Sequence, residues 1–304
     1  MKDISRNFNN RRGFSLVELV MVIVVISILV ALMLPAFGAI QKMALNMRQR
    51  AQFTTIEAGL EAFQKDFGYY PPSNYSNAVG YNYYCGAQKL AEAMVGLDGH
   101  GCHKDTVWRP DGYDDATTPN LLYDVNGTWD YSLPAVQTNL ASRKGPYLEA
   151  DSANAVYLND MTFPATSSAR GWYANFMSNR TMILADQFGT TKNNNTNKKS
   201  GMPILYYRAG SYIGNLGDGL YKEYIYDYRD NFRMAEFTED GDSHPWLLPY
   251  FGTGSFYEVF YPEIQDTNYS AYTPHRTESY ILISAGLDGN YGTADDVYNF
   301  DTGE

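Results

Sequence analysis

The chain is poor in cysteine, in histidine and in charged side chains. Its 304 residues include two cysteines and four histidines, and 19% of them are charged. Two cysteines exclude a disulfide-rich scaffold, although an exported protein can carry a single bridge. Lys and Arg number 23 against 34 Asp and Glu, so the formal net charge is -11. This acidic balance argues against nucleic acid as the main partner.

Motifs of common enzyme classes are also missing. The sequence has no GxSxG nucleophile motif, no P-loop and no HExxH zinc motif. His244 and His275 are isolated in aromatic, proline-containing segments. Neighbouring carboxylates such as Asp295 and Asp296 point in different directions in a strand or turn, which makes them a poor acid/base pair. We therefore expect a protein that is not an enzyme.

One long apolar run is present, close to the N-terminus. Between Phe14 and Leu34 the only ionisable residue is Glu18, and a helix of about 20 apolar residues crosses a hydrocarbon core of about 30 Å. Basic residues before the run, including Arg11 and Arg12, keep that end in the cytoplasm. A carboxylate inside a bilayer costs about 2.5–3.5 kcal/mol on insertion scales and usually has a partner.

Two ordinary explanations of the run are incomplete. A secretory signal has a shorter apolar core followed by a cleavage site with small residues, and LPAFGA (34–39) matches such a site only loosely. A plain membrane anchor accounts for the length and the basic flank. It leaves Glu18 without a role, unless the carboxylate reaches the interface near the end of the span.

The stretch RRGFSLVELVMVIVVISILVALMLP (11–35) resembles the N-terminus of type IV prepilins and of the pseudopilins of type II secretion. The resemblance implies that a prepilin peptidase cuts between Gly13 and Phe14 and methylates Phe14. Glu18 takes the place of the family's glutamate, and Pro35 that of its helix-perturbing proline. In this family the apolar helices stack in a filament core, where the glutamate can pair with the freed amine of a neighbour and set the register.

Helical periodicity continues beyond the apolar run. One apolar stripe recurs at helical spacings and consists of Phe53, Ile56, Leu60, Phe63 and Phe67. It predicts a single helix over about 14–67 that packs on a globular domain through this stripe. The helix ends at Gly68 and YYPPS, and its ending DFGYYPPS is again similar to the major pseudopilins.

We predict an α+β fold with a long N-terminal helix, a small antiparallel sheet and large loop insertions. The expected parts are a leader (1–13), the helix (14–67, with 14–34 as the transmembrane or filament-core part) and a periplasmic globular domain (68–304) with insertions at about 74–200. Strands are predicted at 202–210 and 278–286, and less clearly at 221–228, because these segments are rich in branched and aromatic residues.

Cys85 and Cys102 flank a short helix that is predicted within 86–102. We favour a disulfide between them because the domain is expected to face the periplasm. Zinc binding together with His100 and His103 is the second interpretation, but the cluster lacks the paired ligand spacing of zinc sites. Two unpaired thiols are the third.

The loop SAGLDGNYGTADDVYNF (284–300) is rich in oxygen ligands and glycine. Calcium takes about six to eight oxygen ligands, many of them from carboxylates and carbonyls of one loop. The loop is not an EF-hand, because Thr293 and Asn299 stand where that motif needs glycine and glutamate. A solvated Asp/Gly-rich turn is the alternative explanation.

The same loop is similar to the C-terminal calcium loop of major pseudopilins, with the pattern SxGxDGxxGTxDD. The resemblance implies calcium as a cofactor, with Asp288 and Asp296 as side-chain ligands and Asp295 as the next candidate. Backbone carbonyls near Ala285 and Asn290 complete the implied ligand set.

Together these features predict a structural subunit that polymerises into a type II secretion pseudopilus and supports protein export. The implied partners are other copies of the chain, the prepilin peptidase, the inner-membrane secretion platform, minor pseudopilins and the membrane, without nucleic acid. The implied location is the bacterial inner membrane, with a single pass and a cytoplasmic N-terminus, and then the filament. A type IV pilin, a minor pseudopilin, or a membrane-anchored binding domain with a prepilin-like signal are the alternatives.

Overall fold

The structure, a computed structural model, describes residues 13–74, 76–78, 82–114, 120–162, 181–210, 225–235, 244, 246, 260–269 and 273–301. These ranges do not include residues 1–12 of the expected leader. They also leave out the first half of the strand predicted at 221–228 and much of the segment that precedes it. The chain divides into two compact units between Ala44 and Leu45. This boundary falls inside the long helix rather than at its end.

Helix α1 covers Leu16–Phe67, 52 residues, and confirms the long helix predicted from periodicity. It continues through Pro35 and Gly38. At its C-terminal end, Gly68 adopts a φ of +81° and its N–H donates to the Gln64 carbonyl at 2.7 Å. Glycine is favoured there because it has no Cβ and therefore adopts the left-handed conformation without a steric penalty.

The second unit contains short helices and short antiparallel strands. The helices are α2 (Gly86–Val95), α3 (Pro134–Ala141), α4 (Phe232–Ala235) and α5 (Tyr261–Ile264), with 3-10 turns at Leu158–Asp160 and Tyr228–Asp230. The strands are β1 (Ser76–Ala78), β2 (Asn82–Tyr84), β3 (Cys102–His103), β4 (Arg143–Lys144), β5 (Ala155–Tyr157), β6 (Met161–Thr162), β7 (Met182–Leu184), β8 (Thr191–Asn193), β9 (Lys199–Ser200), β10 (Leu205–Arg208), β11 (Tyr280–Ser284) and β12 (Val297–Tyr298).

The central sheet has the order β10-β11-β12 and is antiparallel. Its register places Tyr207 opposite Ile281 and Ile283 opposite Tyr298. The strands predicted at 202–210 and 278–286 are confirmed in type, and their observed spans are shorter. Tyr228, at the end of the third predicted strand, begins a 3-10 turn instead. Four smaller groups of strands pair as β1-β2, β3-β4, β5-β7 and β6-β8-β9.

This sheet is buried on both faces. Ile281 and Ile283 of β11 belong to one core cluster, which also contains Trp246. The alternate residues Tyr280 and Leu282 belong to a second cluster. Successive side chains of a strand point to opposite sides, so each face of the sheet has its own core.

The second cluster contains the apolar stripe of α1. Phe53, Ile56, Leu60 and Phe63 are at most 2% exposed and share this cluster with Leu282 of the sheet. The stripe is therefore buried, as its helical spacing predicts. Its burial accounts for most of the stability of this part of α1, because an isolated amphipathic helix of a few turns is marginal in water.

Helix α2 is buried along its whole length. It begins beside the sheet, where the Asn231 side chain accepts from the Ala87 N–H and donates to the Tyr206 carbonyl, both at 2.7 Å. A Cβ at Gly86 would lie 2.2 Å from the Tyr206 carbonyl oxygen, so only glycine permits this approach. The helix predicted within 86–102 is confirmed, and Gly96 closes it with a φ of +88°.

Candidate functional site

Helix α1 begins with a reciprocal cap formed by Ser15 and Glu18. The Ser15 N–H donates to Glu18 Oε2 at 2.9 Å, and the Val17 N–H donates to Ser15 Oγ at 3.3 Å. This is a capping box, in which side chains satisfy N–H groups that have no partner inside the helix. The sequence signal for this cap is S-x-x-E directly before an apolar run, and it gives Glu18 a local structural role.

The part of α1 that follows the cap exposes its apolar side chains all around the helix. Large apolar residues between Leu16 and Met33 are each at least 48% exposed. The hydroxyl of Ser27 donates to the Ile23 carbonyl at 2.7 Å, so this polar group is satisfied within the helix. By length and composition, α1 is the one helix in the described ranges that can cross a membrane, with a mean hydropathy of 3.1 in its most apolar window.

The C-terminal loop after β11 is organised by Asp295. Its Oδ2 accepts the N–H groups of Leu287 at 2.6 Å and Asp288 at 3.1 Å, and its Oδ1 accepts the Thr293 hydroxyl at 2.8 Å. These hydrogen bonds lower the pKa of the Asp295 carboxyl, although its partial burial acts in the opposite direction. A Cβ at Gly286 would lie 2.3 Å from the Asp295 carbonyl oxygen, so the loop can close only over glycine.

Asp296 and Asp288 are placed differently from Asp295. Asp296 Oδ2 accepts the Gly292 N–H at 2.7 Å, while Oδ1 is inaccessible to solvent and has no hydrogen-bond partner in the described part of the chain. Burial raises the pKa of Asp296 well above its ordinary value. Asp288 Oδ1 accepts the Asn290 N–H at 2.8 Å, and burial raises the pKa of Asp288 as well.

The loop fits a cation only in part. The orphaned oxygen of Asp296 is a ligand atom in need of a partner, and a cation would remove the cost of the buried charge. Within the described ranges, however, no group of three acidic, histidine or cysteine side chains converges. Of the carbonyls implied by the resemblance, that of Asn290 accepts the Thr293 hydroxyl at 3.2 Å, and Ala285 is fully buried.

Several residues at this loop could not be assigned from the sequence. The Tyr298 hydroxyl lies 3.3 Å from both Asp296 Oδ2 and Glu263 Oε2, so Glu263 is a further carboxylate at the site. The Asp186 carboxylate accepts the hydroxyl of Ser284, the first residue of the loop segment, at 2.9 Å. Both partners are distant in the sequence, and no local pattern predicts such contacts.

The two cysteines, both among the described residues, do not form the expected disulfide. Cys85 precedes α2 and belongs to the first core cluster, whereas Cys102 lies on β3 and belongs to the second. The Tyr123 hydroxyl lies 3.7 Å from Cys102 Sγ. The structure gives no support to zinc either, because the His103 ring contacts the Ser142 hydroxyl at 2.7 Å and the His100 ring contacts the Asp98 carbonyl at 2.9 Å.

Comparison with protein families gives a match in the N-terminal segment. Residues 8–34 match the family model described as the prokaryotic N-terminal methylation motif. No curated protein and no solved structure matches the chain significantly. The matched segment contains Gly13, Phe14 and the capping pair Ser15 and Glu18. The chain therefore carries, at its N-terminus, the methylation motif of prepilin-type, pilin-like proteins.

Proposed function

We propose that the chain is a structural subunit of a pilin-like filament, and specifically a major pseudopilin of the type II secretion class. The observation that carries the proposal is the methylation motif at 8–34, whose apolar part forms the first half of helix α1. The apolar side chains around this helix are exposed in a single copy of the chain. These side chains must be shielded from water, by the bilayer before assembly and by neighbouring helices afterwards.

In the proposed route, the prepilin peptidase cuts between Gly13 and Phe14 and methylates the new end. The subunit then waits in the inner membrane with its second unit (45–304) on the periplasmic side. Assembly places Glu18 next to the amine of a neighbouring Phe14, and this pairing sets the register of the filament. The role is mechanical and not enzymatic.

We further propose that calcium binds the C-terminal loop through Asp296 and Asp288. Support comes from the orphaned Oδ1 of Asp296 and from the raised pKa of both carboxyls, which burial makes costly to ionise. Asp295 is an organiser in this proposal, since its oxygens already accept hydrogen bonds from Leu287, Asp288 and Thr293. Glu263 is a further candidate for the ligand set, because Tyr298 links it to Asp296.

The main alternative from a different class is a membrane-anchored binding domain with a prepilin-like signal. The cap favours it, because a capping box gives Glu18 a role at the start of any helix. A type IV pilin or a minor pseudopilin is the alternative within the assembly class. A filament subunit needs the negative charge of Glu18 for assembly, whereas a membrane-anchored binding domain does not.

The test compares Glu18→Gln with Glu18→Ala in cells that contain the peptidase and the secretion apparatus. Glutamine also closes a capping box, so Glu18→Gln keeps the cap and removes only the charge. We expect both variants to be cut before Phe14 and methylated, as read by mass spectrometry, and to lose at least about tenfold in cross-linked filament. Gly13→Trp is the processing control and should remain uncut.

The outcomes separate the hypotheses. Normal filament yield from Glu18→Gln would reject the pairing role and reduce Glu18 to a helix cap. Normal cleavage of Gly13→Trp would reject processing at this bond. Processing without any filament in the wild type would favour the anchored binding domain.

A further inference from the structure

The chain contains five tripeptides of the form Asn-x-Ser/Thr in which x is not proline. This is the acceptor pattern of N-linked glycosylation, in which a glycan is attached to the asparagine amide and a hydroxyl residue must follow the central position. So short a pattern also occurs by chance, and the surroundings of each asparagine therefore decide whether it can react. The five acceptor asparagines are Asn74, Asn126, Asn179, Asn194 and Asn268.

Asn126 lies at the tip of a turn between β3 and α3. The turn is closed by a hydrogen bond from the Gly127 N–H to the Asp124 carbonyl at 3.3 Å, and Gly127 adopts a φ of +64°. Asn126 and Thr128 are both exposed. In the part of the chain that the structure describes, neither the side-chain amide of Asn126 nor the hydroxyl of Thr128 has a hydrogen-bond partner. Both groups that the reaction needs are therefore available.

The turn is fixed at its base by Asp124, which is 3% exposed. Its Oδ1 accepts the Thr128 N–H at 2.8 Å, and its Oδ2 accepts the Tyr131 hydroxyl at 3.1 Å. Val125, which follows Asp124, is buried in a small core cluster. Asn126 is thus held outward at the tip of a surface loop, where a modifying enzyme can reach it.

The side chains of two other acceptor asparagines are already engaged. The Asn268 amide donates to Asp266 Oδ1 at 3.1 Å. The side-chain oxygen of Asn74 lies 3.3 Å from the Nζ of Lys89, a buried lysine that also donates to the Asn74 carbonyl. An amide held in this way must lose these contacts before a transferase can bind it.

Asn194 is exposed, but its tripeptide is held in the β8–β9 hairpin. The Asn194 N–H donates to the Asp160 carbonyl at 2.6 Å. The hydroxyl residue of this tripeptide, Thr196, accepts the Lys198 N–H at 3.4 Å. Asn179 lies outside the described residues. Among the described acceptor asparagines, Asn126 is therefore the one whose amide and hydroxyl partner are both exposed and free.

We propose that Asn126 accepts an N-linked glycan, which an oligosaccharyltransferase attaches from a lipid diphosphate-linked oligosaccharide. The side-chain nitrogen of Asn126 attacks the anomeric carbon of the donor, and a C–N bond forms as the C–O bond to the diphosphate breaks. The lipid diphosphate leaves with the electron pair of that bond, and one amide proton passes to a base of the transferase. The Thr128 hydroxyl is the group by which the acceptor is recognised. The proposal rests on the periplasmic position of the second unit in the proposed function.

The experiment uses the full chain isolated from the membranes of the cells that make it. Trypsin does not cut before Pro110, so the peptide 105–143 contains Asn126 and none of the other acceptor asparagines. We expect mass spectrometry with electron-transfer fragmentation to find a glycan on Asn126, at a higher occupancy than on the other acceptor asparagines. Asn126→Gln and Thr128→Ala should lose this glycan completely. Thr128→Ser is the matched control and should keep it, because serine also carries the required hydroxyl.

The glycan and the N-terminal processing are read separately in the same spectra. A wild-type peptide 105–143 without a glycan would overturn the proposal, as would a glycan on Asn194 with none on Asn126, or a glycan that survives Thr128→Ala. These substitutions affect exposed side chains, so the variants should fold. A methylated Phe14 together with an unmodified Asn126 would reject glycosylation alone. An uncut leader would contradict the proposed function, whatever Asn126 carries.

Discussion

At the residue scale, Glu18 has a hydrogen-bond partner in Ser15. This partner does not offset the free-energy cost of placing the negative charge of Glu18 in a membrane-spanning helix. Its capping box with Ser15 contributes about 1 kcal/mol to the start of a helix. A carboxylate at the centre of a bilayer costs about 2.5–3.5 kcal/mol, and Glu18, in the first turn of α1, costs less because it lies near the interface. The cap satisfies the Ser15 N–H but does not neutralise the negative charge of Glu18. The remaining cost is what pairing with a neighbouring subunit would remove.

Lys89 is a second charged residue in an apolar setting. It lies on α2, is 1% exposed, and its Nζ donates to the Asn74 carbonyl at 2.5 Å. Burial lowers the pKa of Lys89 to about 8, while Asp230 and Glu92 act in the opposite direction. In the unfolded chain the pKa returns to its ordinary value near 10.5. Between these values the unfolded chain binds more protons, so the contribution of Lys89 to stability increases with pH.

We predict that the unfolding free energy of the wild type, relative to Lys89→Met, rises by about 2 kcal/mol between pH 8 and pH 9.5. Below about pH 8 the difference should be constant, because Lys89 is protonated in both states. Burial raises the pKa of Cys102 and gives a slope of the opposite sign, but this slope is present in both proteins and cancels. Urea denaturation across this pH range measures the effect, and parallel curves for the two proteins would contradict it.

At the scale of elements, the C-terminal loop separates an organising carboxylate, Asp295, from Asp296, the carboxylate that we propose as a calcium ligand. Asp295→Ala should destabilise the chain with or without calcium, by about 1–3 kcal/mol, because it leaves the N–H groups of Leu287 and Asp288 without their acceptor. Asp296→Ala should change the stability of the calcium-free chain much less than Asp295→Ala, because it removes a buried carboxylate with an orphaned oxygen but also removes the acceptor of the Gly292 N–H. It should also abolish the rise in Tm that we expect calcium to produce in the wild type.

Thermal denaturation with calcium and with a chelator checks this prediction, and Asp105→Ala serves as the control on an exposed loop. Equal Tm values for the wild type in the two buffers would indicate that the loop is a solvated turn that does not bind calcium. An Asp296→Ala variant that still responds to calcium would place the ion on other ligands.

The elements that could be predicted from the sequence are those with a strong local pattern. Helix α1 shows a helical stripe, and β11 is a short apolar run bounded by turn residues. The contacts that could not be predicted join distant segments, such as Asp186 with Ser284 and Glu263 with Tyr298. The expected Cys85–Cys102 disulfide was inferred from the positions of the two cysteines on either side of a short helix. In the structure the two thiols belong to different cores, which sequence spacing does not reveal.

At the scale of the whole molecule, the second unit has its own core. Both large clusters are composed of residues from Phe53 onwards, and the chain divides before Leu45. We predict that a chain starting at Leu45 folds and melts within a few degrees of the full chain in detergent, apart from fraying of the first turns of α1. Circular dichroism measures the transition.

Leu60→Ala in the shortened chain is the matched test of that core, because Leu60 is fully buried in the stripe. It should lower the unfolding free energy by about 2–5 kcal/mol through the cavity that it creates. A shortened chain that lacks a cooperative transition would show that the apolar half of α1 is needed for folding. A Leu60→Ala variant as stable as its parent would contradict the packing of the stripe.

The central sheet, with a core on each face, has a consequence for how freely its sequence can vary. In a sheet with one solvent-exposed face, every second position of a strand points to solvent and accepts polar residues. In β11 all positions from Tyr280 to Ser284 are buried, so neither face tolerates an unpaired polar group. A saturation mutagenesis profile of this strand would therefore show an unbroken block of intolerant positions, whereas strands of one-sided sheets show alternation.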